Sequence, residues 1–395
     1  MTSERYVGLD VHKHQVTVAA VDSQQRMVLT PQKVAVERFA AWARQHLQST
    51  DHVALEATTN SWAFHDQLKP LVAEVAVANC FQVKLISASG RKTDKQDALV
   101  LAKLLAAHLL PTVWVPPQPV RELRALTSHR AQLISEKSAL KNRLHNLLHR
   151  HNLPQPPGSA FKAANEEWWQ ALPLSAVERL QVRHYWLSIH HLEALIQETE
   201  AQIAQSSVAA PWDDLMPFLL QLPGVGLYTG MTILAAIGQI ERFASPQQLV
   251  GYAGLGARVR ASADVQRTGK ISKQGRSELR TALVACAWSA VHWSPYWRSL
   301  FQSLSYRLGK PKAITAIARK LLVVIWHVLT KRELDHHANP AAIARSFMTW
   351  SSQHHLARSL ATHRLDFVKQ RLARLGILDQ VSCFSANGRV HHIAA

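Results

Sequence analysis

The stretch Arg5-Tyr-Val-Gly-Leu-Asp10 decides the fold, because it is a short apolar run that ends in an acid. The Val-His-Lys-His that follows at 11–14 has the composition of a sharp turn, and residues 15–22 read as a returning strand. Residues 26–36 continue the pattern as a third strand. The sequence therefore predicts three successive antiparallel strands at the start of the chain.

Helices and strands alternate after this three-stranded start. A helical stretch at 37–47 precedes the strand His52-Val-Ala-Leu-Glu56, and an amphipathic helix at 62–71 precedes a short strand at 74–78. Three antiparallel strands followed by this alternation is the element order of the ribonuclease-H-like fold, in which the first and fourth strands are neighbours. We therefore predict an α/β domain of that class for the N-terminal region.

Four acids stand out against this predicted sheet. Asp10 and Glu56 each end an apolar strand, so the two carboxylates should meet at one sheet edge. Asp94 and Asp97 share one face of a helix that starts at Lys92-Thr93, because they are three residues apart. Four converging carboxylates would repel one another unless they held cations, and hard oxygen ligands suit Mg²⁺ or Mn²⁺. The alternative is that each acid is solvated, or that the helical pair interacts with the helix dipole.

Composition indicates a polyanionic partner. The 395-residue chain has a formal charge of +18, before any of its 22 histidines is protonated. The sequence has no apolar run of 18 residues and no signal-peptide core at its start, which argues against a membrane partner. Three widely spaced cysteines, Cys80, Cys286 and Cys383, favour a reducing cytoplasm.

A proline-rich segment at 111–119 is expected to end the first domain, which we place at 1–115. Residues 116–208 are predicted to be a helical connector, with one long helix at 120–151 and a second at 175–206 that could fold back antiparallel. The first carries leucines at three-four spacing, typical of a coiled coil: Leu123, Leu126, Leu133, Leu140, Leu144 and Leu147. Two interpretations stay open, a solvated basic face or an arm that packs on a partner subunit while it contacts phosphates.

Residues 209–340 are predicted to be a mainly helical domain. Its Leu-Pro-Gly-Val-Gly at 222–226 resembles a helix-hairpin-helix turn, in which Gly224 and Gly226 would let backbone N–H groups approach a phosphate. The motif does not match the dinucleotide-binding fingerprint, and the chain has no phosphate-binding loop of the Walker type. ATP-driven activity is therefore not indicated. Residues 341–395 read as a basic helical tail that becomes loosely ordered after 382.

A cationic stretch at 257–280 is the second chemical feature. It holds seven Lys and Arg residues and is predicted to be a loop that contacts nucleic acid through six of them, Arg258, Arg260, Arg267, Lys270, Lys273 and Arg280. Cations around small hydroxyl residues also suit phosphoryl transfer, because they offset charge that develops in the transition state. A serine of this stretch could be a nucleophile. On residue chemistry alone, the plain nucleic-acid-binding loop is favoured.

Several motifs in order resemble one family. They are Val-Gly-Leu-Asp-Val-His-Lys at 7–13, Leu-Glu-Ala-Thr at 55–58, Lys-Thr-Asp-Lys-Gln-Asp-Ala at 92–98, the 222–226 turn, Leu-Val-Gly-Tyr-Ala-Gly-Leu at 249–255 and Gly-Lys-Ile-Ser-Lys-Gln-Gly at 269–275. The set resembles the DEDD insertion-sequence transposases of the "IS one-ten" kind, which are related to the Piv site-specific invertase. The resemblance extends to about residue 335.

The resemblance implies an RuvC-like N-terminal domain, a coiled-coil connector and a helical transposase domain. It implies that Asp10, Glu56, Asp94 and Asp97 bind metal, and that they act with a C-terminal serine from another subunit of a homo-oligomer. Ser262 occupies the position of that serine, although Ala261 and Ala263 flank it where the family usually has Ser and Gly. Ser272 is the second choice, because its place before Lys273, at the expected start of the next helix, also suits N-capping of that helix.

The resemblance further implies a structured noncoding "bridge" RNA that pairs with both target and donor DNA. We therefore expect a cytoplasmic, nucleoid-associated DNA recombinase that excises and inserts a mobile element. Two alternatives are a metal-dependent nuclease or junction resolvase, in which water attacks the phosphate, and a non-catalytic nucleic-acid-binding scaffold.

Overall fold

The computed structural model describes residues 4–86, 93–156, 158–262 and 265–393, with side chains outside 258–268. The chain divides into two compact units, Met1–Pro116 and Pro117–Ala395. The division falls within the proline-rich segment. The further subdivision of the second unit into connector, transposase domain and tail stays a prediction.

The first unit is a mixed α/β structure. Its elements, in chain order, are β1 (Arg5–Val11), β2 (Gln15–Asp22), β3 (Met27–Ala35), α1 (Val36–His46), β4 (His52–Glu56), α2 (Ser61–Leu68), β5 (Glu74–Ala78), α3 (Cys80–Ile86) and α4 (Asp94–Ala106). The sheet order is β3-β2-β1-β4-β5. Strands β1 to β3 pair antiparallel, whereas β4 pairs parallel to both β1 and β5. The predicted α/β class and the adjacency of the first and fourth strands are confirmed.

The two faces of this sheet bury different side chains. One face presents Val and Leu from the central strands to Phe39 of α1 and Phe64 of α2. The opposite face is lined by small residues such as Ala54 and Ala76, and it packs against α4. Strand side chains alternate between faces. Asp10 and Glu56 therefore lie on the side of the sheet that faces α4, the same side as Ala54 and Ala76.

The second unit begins with two long helices and a short one between them, α5 (Gln118–Arg150), α6 (Glu166–Gln170) and α7 (Ala176–Ser207). Helices α5 and α7 are antiparallel, because residues near the start of one pair with residues near the end of the other: Arg130–Glu200, Lys137–Glu193 and Arg150–Glu178. The predicted pair of helices is present, with Leu123, Leu133, Leu144 and Leu147 buried. The coiled-coil assignment stays a prediction.

Most of the second unit is helical. Its next elements are α8 (Met216–Leu220), α9 (Leu227–Ile237), α10 (Pro246–Tyr252), β6 (Ala257–Ser262), β7 (Val265–Ile271), α11 (Ser277–Trp293), α12 (Pro295–Leu308) and α13 (Lys310–Lys331). Strands β6 and β7 pair antiparallel. The prediction of a plain loop at 257–280 is therefore wrong for Ala257–Ser262 and Val265–Ile271, because these segments pair as two antiparallel strands.

Helix α13 is long and apolar enough by composition to cross a membrane. The search of the sequence for an uninterrupted run of 18 apolar residues did not detect it. Nine of its residues are buried in the fold, among them Ile317, Leu321 and Ile325. They recur at three-four spacing, as in a helix that packs within a protein core.

The chain ends with α14 (Pro340–Ser352), α15 (Leu356–Ser359), α16 (Arg364–Arg374), β8 (Cys383–Ala386) and β9 (Arg389–His392). The helical prediction for this tail is confirmed as far as 374. The expectation of loose order after 382 is wrong for the described residues, because β8 and β9 form an antiparallel hairpin around the turn at Asn387 and Gly388. Phe384 and Ala386 are buried on one side of it.

Candidate active site

Strand register places Asp10 beside Glu56. Leu9 pairs with Leu55 in the parallel β1–β4 ladder, so the next residue on each strand is an acid, and neighbouring strands are about 4.8 Å apart. Asp10 is the penultimate residue of β1 and Glu56 is the last residue of β4, and both strands are largely buried up to these acids. The sheet edge therefore presents two adjacent carboxylates toward the side covered by α4.

Gly8 brings α4 onto this edge. A Cβ atom at Gly8 would lie 1.9 Å from the Ala98 carbonyl oxygen, so the helix backbone rests directly on β1. Thr93 caps α4, because its hydroxyl accepts a hydrogen bond from the Gln96 N–H. The first turn of the helix then contains Asp94 and Asp97. Close packing at Gly8 thus determines how near these two acids lie to Asp10.

A compact cluster forms around Asp10 and Asp94. His12 Nε2 lies 3.0 Å from Asp10 Oδ2 and 3.6 Å from Asp94 Oδ1. One ligand atom from each of these three residues falls within a span of 4.8 Å. Lys33 Nζ on β3 lies 3.0 Å from Asp94 Oδ2. Its hydrogen bond is the largest of the effects that lower the pKa of Asp94.

The surroundings of Asp10 favour a bound cation. Burial raises the pKa of Asp10, and the negative charges of Asp97 and Asp94 raise it further, although His12 acts in the opposite direction. Thr17 lies opposite Asp10 in the β1–β2 ladder, and its buried hydroxyl has no hydrogen-bond partner among the described residues. A divalent cation with a bound water would supply both the missing positive charge and a partner for that hydroxyl. The oxygen-rich set fits such an ion.

Glu56 and Asp97 occupy the margin of this cluster. Asp97 acts on Asp10 electrostatically, but neither it nor Glu56 belongs to the group of ligand atoms within 4.8 Å. Glu56 lies close to Cys80, whose thiol donates to the Ala57 carbonyl oxygen at 3.3 Å. Burial, followed by the charge of Glu56, raises the pKa of that thiol.

Two residues near the acids were not foreseen. His12 follows Asp10 by two positions, and this spacing along an extended chain puts both side chains on one side. The signal was present in the Asp-Val-His-Lys motif. Lys33 carried no comparable signal, because its contact with Asp94 joins positions 61 residues apart.

The hairpin places Ser262 at the end of β6, where its backbone pairs with Val265. The side chains of Arg258, Arg260, Ser262 and Arg267 lie outside the described residues, so the contacts predicted for them stay predictions. Lys270 and Lys273 are exposed, as expected for cations that contact phosphates. Arg280 is half-buried, and its Nη1 donates to the Ala253 carbonyl oxygen at 3.0 Å.

Two glycines close the base of the hairpin. Gly254 and Gly275 both have positive φ, and a Cβ at either would lie within 2.3 Å of a backbone oxygen, that of Gln274 or Tyr252 respectively. The Ser272 N–H donates to the Gly256 carbonyl oxygen at 2.8 Å. Helix α11 begins only at Ser277, with Arg276 as its N-cap. The prediction that Ser272 caps this helix is therefore wrong.

The 222–226 turn connects α8 to α9, as a helix-hairpin-helix would. Gly224 has φ +88°, and a Cβ there would lie 2.3 Å from the Cys286 carbonyl oxygen. The backbone of α11 therefore occupies the space beside Gly224 that the prediction assigned to a phosphate. Gly226 is exposed and precedes α9, and its N–H donates to Thr229 Oγ1 at 2.9 Å.

An acid cluster at a sheet edge and a strand pair with a cationic sequence are features typical of metal-dependent proteins that act on nucleic acid. Comparison with known proteins gives the family. A family model for DEDD transposases of the IS110 kind matches residues 7–153, and one described as "Transposase IS116/IS110/IS902 family" matches residues 216–302. The chain belongs to the IS110/IS116 family of transposases.

Curated relatives agree with this assignment. The transposase for insertion sequence element IS1111A of Coxiella burnetii is 28% identical over 61% of this chain and 68% of its own length. The pilin gene-inverting protein of Moraxella bovis is 26% identical over 83% of this chain and 96% of its own. The chain is thus similar both to a transposase and to a protein named for gene inversion.

Proposed function

We propose that this transposase excises and inserts an insertion sequence by metal-assisted phosphoryl transfer. The observation that carries the proposal is the convergence of Asp10, Asp94 and Asp97 on one sheet edge, where the pKa of Asp10 is raised by burial and by the other acids. Mg²⁺ or Mn²⁺ bound by these residues and Glu56 would stabilise charge on the phosphate. The first unit would then be RuvC-like.

We assign the nucleophile to Ser262. Its Oγ attacks a DNA phosphorus atom, the bridging P–O bond breaks, and the leaving DNA hydroxyl takes up the proton that the serine loses. The resulting phosphoserine link conserves the phosphodiester energy until a second DNA hydroxyl attacks it and releases the serine. Support comes from the place of Ser262 at the end of β6 in a cationic hairpin. Ser272 is less suitable, because the backbone on either side of it is held against Gly254 and Gly256.

Recombination also implies partners. The relative named for pilin gene inversion supports rearrangement of DNA rather than simple cleavage. A charge of +18 exceeds what a short duplex contact requires, which supports a noncoding bridge RNA as a second polyanion. We further propose a homo-oligomer in which the acids and Ser262 act on the same phosphate from different subunits, in a cytoplasmic, nucleoid-associated complex.

Denaturing electrophoresis of labelled element-end DNA with the protein tests the nucleophile. Wild-type protein should give a band in which DNA is linked to protein, and Ser262→Ala should abolish it. Ser272→Ala is the matched control and should retain it, while Ser262→Cys should keep slow linkage, because a thiolate is itself nucleophilic. Free cut ends without a linked species would instead establish a metal-dependent nuclease. A linked peptide that lacks Ser262 would move the nucleophile elsewhere.

A further inference from the structure

Three arginines from separate parts of the second unit lie near Tyr252. Arg124 comes from α5, Arg242 ends a short 3₁₀ turn after α9, and Arg276 precedes α11. The Arg242 guanidinium lies 4.3 Å from the Tyr252 ring centroid, and the Arg276 N–H donates to the Tyr252 carbonyl oxygen at 3.2 Å. All four residues are half-buried, so a ligand can still reach them.

Two of these arginines have a structural task. Arg124 Nε donates to the Ala235 carbonyl oxygen at 2.7 Å, and Arg242 Nε donates to that of Ile237 at 2.9 Å. These oxygens belong to the last turn of α9, where backbone acceptors have no partner within the helix. Helix capping therefore explains the position of Arg124 and Arg242.

Capping does not explain Arg276. Within the part of the chain that the structure describes, its guanidinium makes no hydrogen bond and no ion pair. It lies at the N-terminus of the 17-residue helix α11, which has no side-chain cap. Both the helix dipole and the free N–H groups of such an end favour an anion. Glu278 in the first turn is exposed, and Ser277 donates to it.

The local electrostatics also favour an anion. Burial lowers the pKa of Arg124 to about 10, and the charges of Arg276 and Arg242 contribute to this shift. Burial alone would raise the pKa of Tyr252, yet Arg242, Arg124 and Arg276 together lower it. Arg276 thus destabilises the charged forms of Arg124 and Arg242, and Arg242 that of Arg124, so a bound anion would relieve this repulsion.

We propose that Arg276, supported by Arg124 and Arg242 near Tyr252, binds one backbone phosphate of a nucleic-acid strand. Guanidinium groups bind phosphate oxygens in a bidentate manner. The contact of Gly275 with the Tyr252 carbonyl oxygen fixes this site at the base of the β6–β7 hairpin. A strand that reaches the hairpin would be held at this phosphate. The inference rests on the proposed action on nucleic acid but assigns a site that the proposed reaction does not require.

The test is the salt dependence of binding by the full chain to a labelled duplex oligonucleotide, measured by fluorescence anisotropy. Loss of one phosphate contact should lower the log–log slope by about 0.9. Arg276→Gln should show this decrease, whereas Arg276→Lys should keep the wild-type slope. Arg298→Gln is the control for loss of a guanidinium, because Arg298, unlike Arg276, has a structural contact: it donates to carbonyl oxygens at a helix end, those of Val291 and His292. Its slope should not change.

Equal slopes for wild type and Arg276→Gln would overturn the assignment to a nucleic-acid phosphate, as would an equal decrease in Arg298→Gln. Arg276→Met is a second neutral variant, and failure of both neutral variants to fold would show that the cluster is only structural. Inorganic phosphate, compared with chloride at equal ionic strength, distinguishes the source. One outcome is that phosphate raises the melting temperature of wild type more than that of Arg276→Gln while both proteins have equal salt slopes for DNA binding. That result would show that the site binds free phosphate and not a DNA phosphate. Absence of DNA binding by wild type would instead reject the proposed function.

Discussion

The acid cluster of the first unit and the arginine cluster of the second unit are built in contrasting ways. Asp10 and Glu56 are fixed by strand register, and Asp94 and Asp97 by the first turn of a capped helix. The arginines come from the side of one helix, the end of a 3₁₀ turn and a residue before a helix. Like charges gather in both places, which is costly unless an ion of opposite sign binds.

Glycine serves both clusters in the same way. Gly8 lets the backbone of α4 rest on β1, whereas Gly254 and Gly275 let the chain after the hairpin rest on the end of α10. In each case a side chain would separate the elements that carry the charged groups. The difference is that Gly8 lies within a regular strand and Gly275 has φ +100°, so only the second position also requires glycine for its conformation.

Asp10→Asn should have the largest effect, because it removes the most buried acid of the cluster. Transposition should fall to background while the protein still folds, since loss of one carboxylate relieves repulsion in the metal-free state. Mg²⁺ should raise the melting temperature of wild type more than that of the variant. Glu37→Gln, on an exposed acid of α1, is the control and should respond as wild type does. An equal shift in all three proteins would exclude the acids as the metal site.

Gly8→Ala tests whether close packing places the acids. The new Cβ would lie 1.9 Å from the Ala98 carbonyl oxygen and 2.7 Å from the Ala102 N, so α4 must move. We expect the unfolding free energy to fall by about 1–3 kcal/mol, as for overpacked cores, together with a smaller Mg²⁺-induced melting shift. Ala76→Gly on β5 lowers stability without pushing α4 away, and it should keep the Mg²⁺ shift. A full Mg²⁺ shift in Gly8→Ala would show that α4 can move without displacing the acids.

The contrast between the clusters also explains what the sequence could predict. Apolar runs that end in an acid, and the element order of the ribonuclease-H-like fold, placed Asp10 beside Glu56, and the spacing of Asp94 and Asp97 placed them in one helical turn. These inferences depend on periodicity, which the sequence records directly. The same reasoning gave the five strands of the sheet and the long α5 and α7 helices, within a few residues at their ends.

Features that depend on contacts between distant residues were not predictable. Nothing in the local sequence connects Arg124 with Arg276, or Lys33 with Asp94. The cationic stretch was taken for a loop because its charges hid the alternation of β6 and β7, and pairing across the hairpin decided the outcome. Ser272 was expected to cap a helix that starts at Lys273. The positive φ of Lys273 and Gly275 prevents a helix there, so α11 starts later.

Gly275→Ala tests the closure of the hairpin base. The left-handed conformation costs an alanine about 1–2 kcal/mol, and its Cβ would lie 2.1 Å from the Tyr252 carbonyl oxygen. Urea denaturation should show a loss of at least this size, with weaker binding to duplex DNA. Gly256→Ala is the matched control, because no heavy atom lies within 4 Å of its Cβ position. Its stability should not fall, and it should rise by at most about 1 kcal/mol, the effect of a tolerated glycine substitution. Equal losses in the two variants would mean that the closure is not specific to Gly275.

The smallest effect concerns the helix that supplies Arg124. His151 and Ser175 lower the pKa of Glu178 to about 2, which links the end of α5 to the start of α7. A depressed carboxyl pKa contributes stability above its unfolded value of 4.5, and this contribution is lost as the pH falls toward about 2. In urea denaturation, wild type should therefore lose its advantage over Glu178→Gln within this pH window. Glu198→Gln, an exposed acid on the same helix, should differ from wild type by a constant amount. A constant difference for Glu178→Gln as well would show that the pairing of α5 with α7 does not depend on this carboxylate.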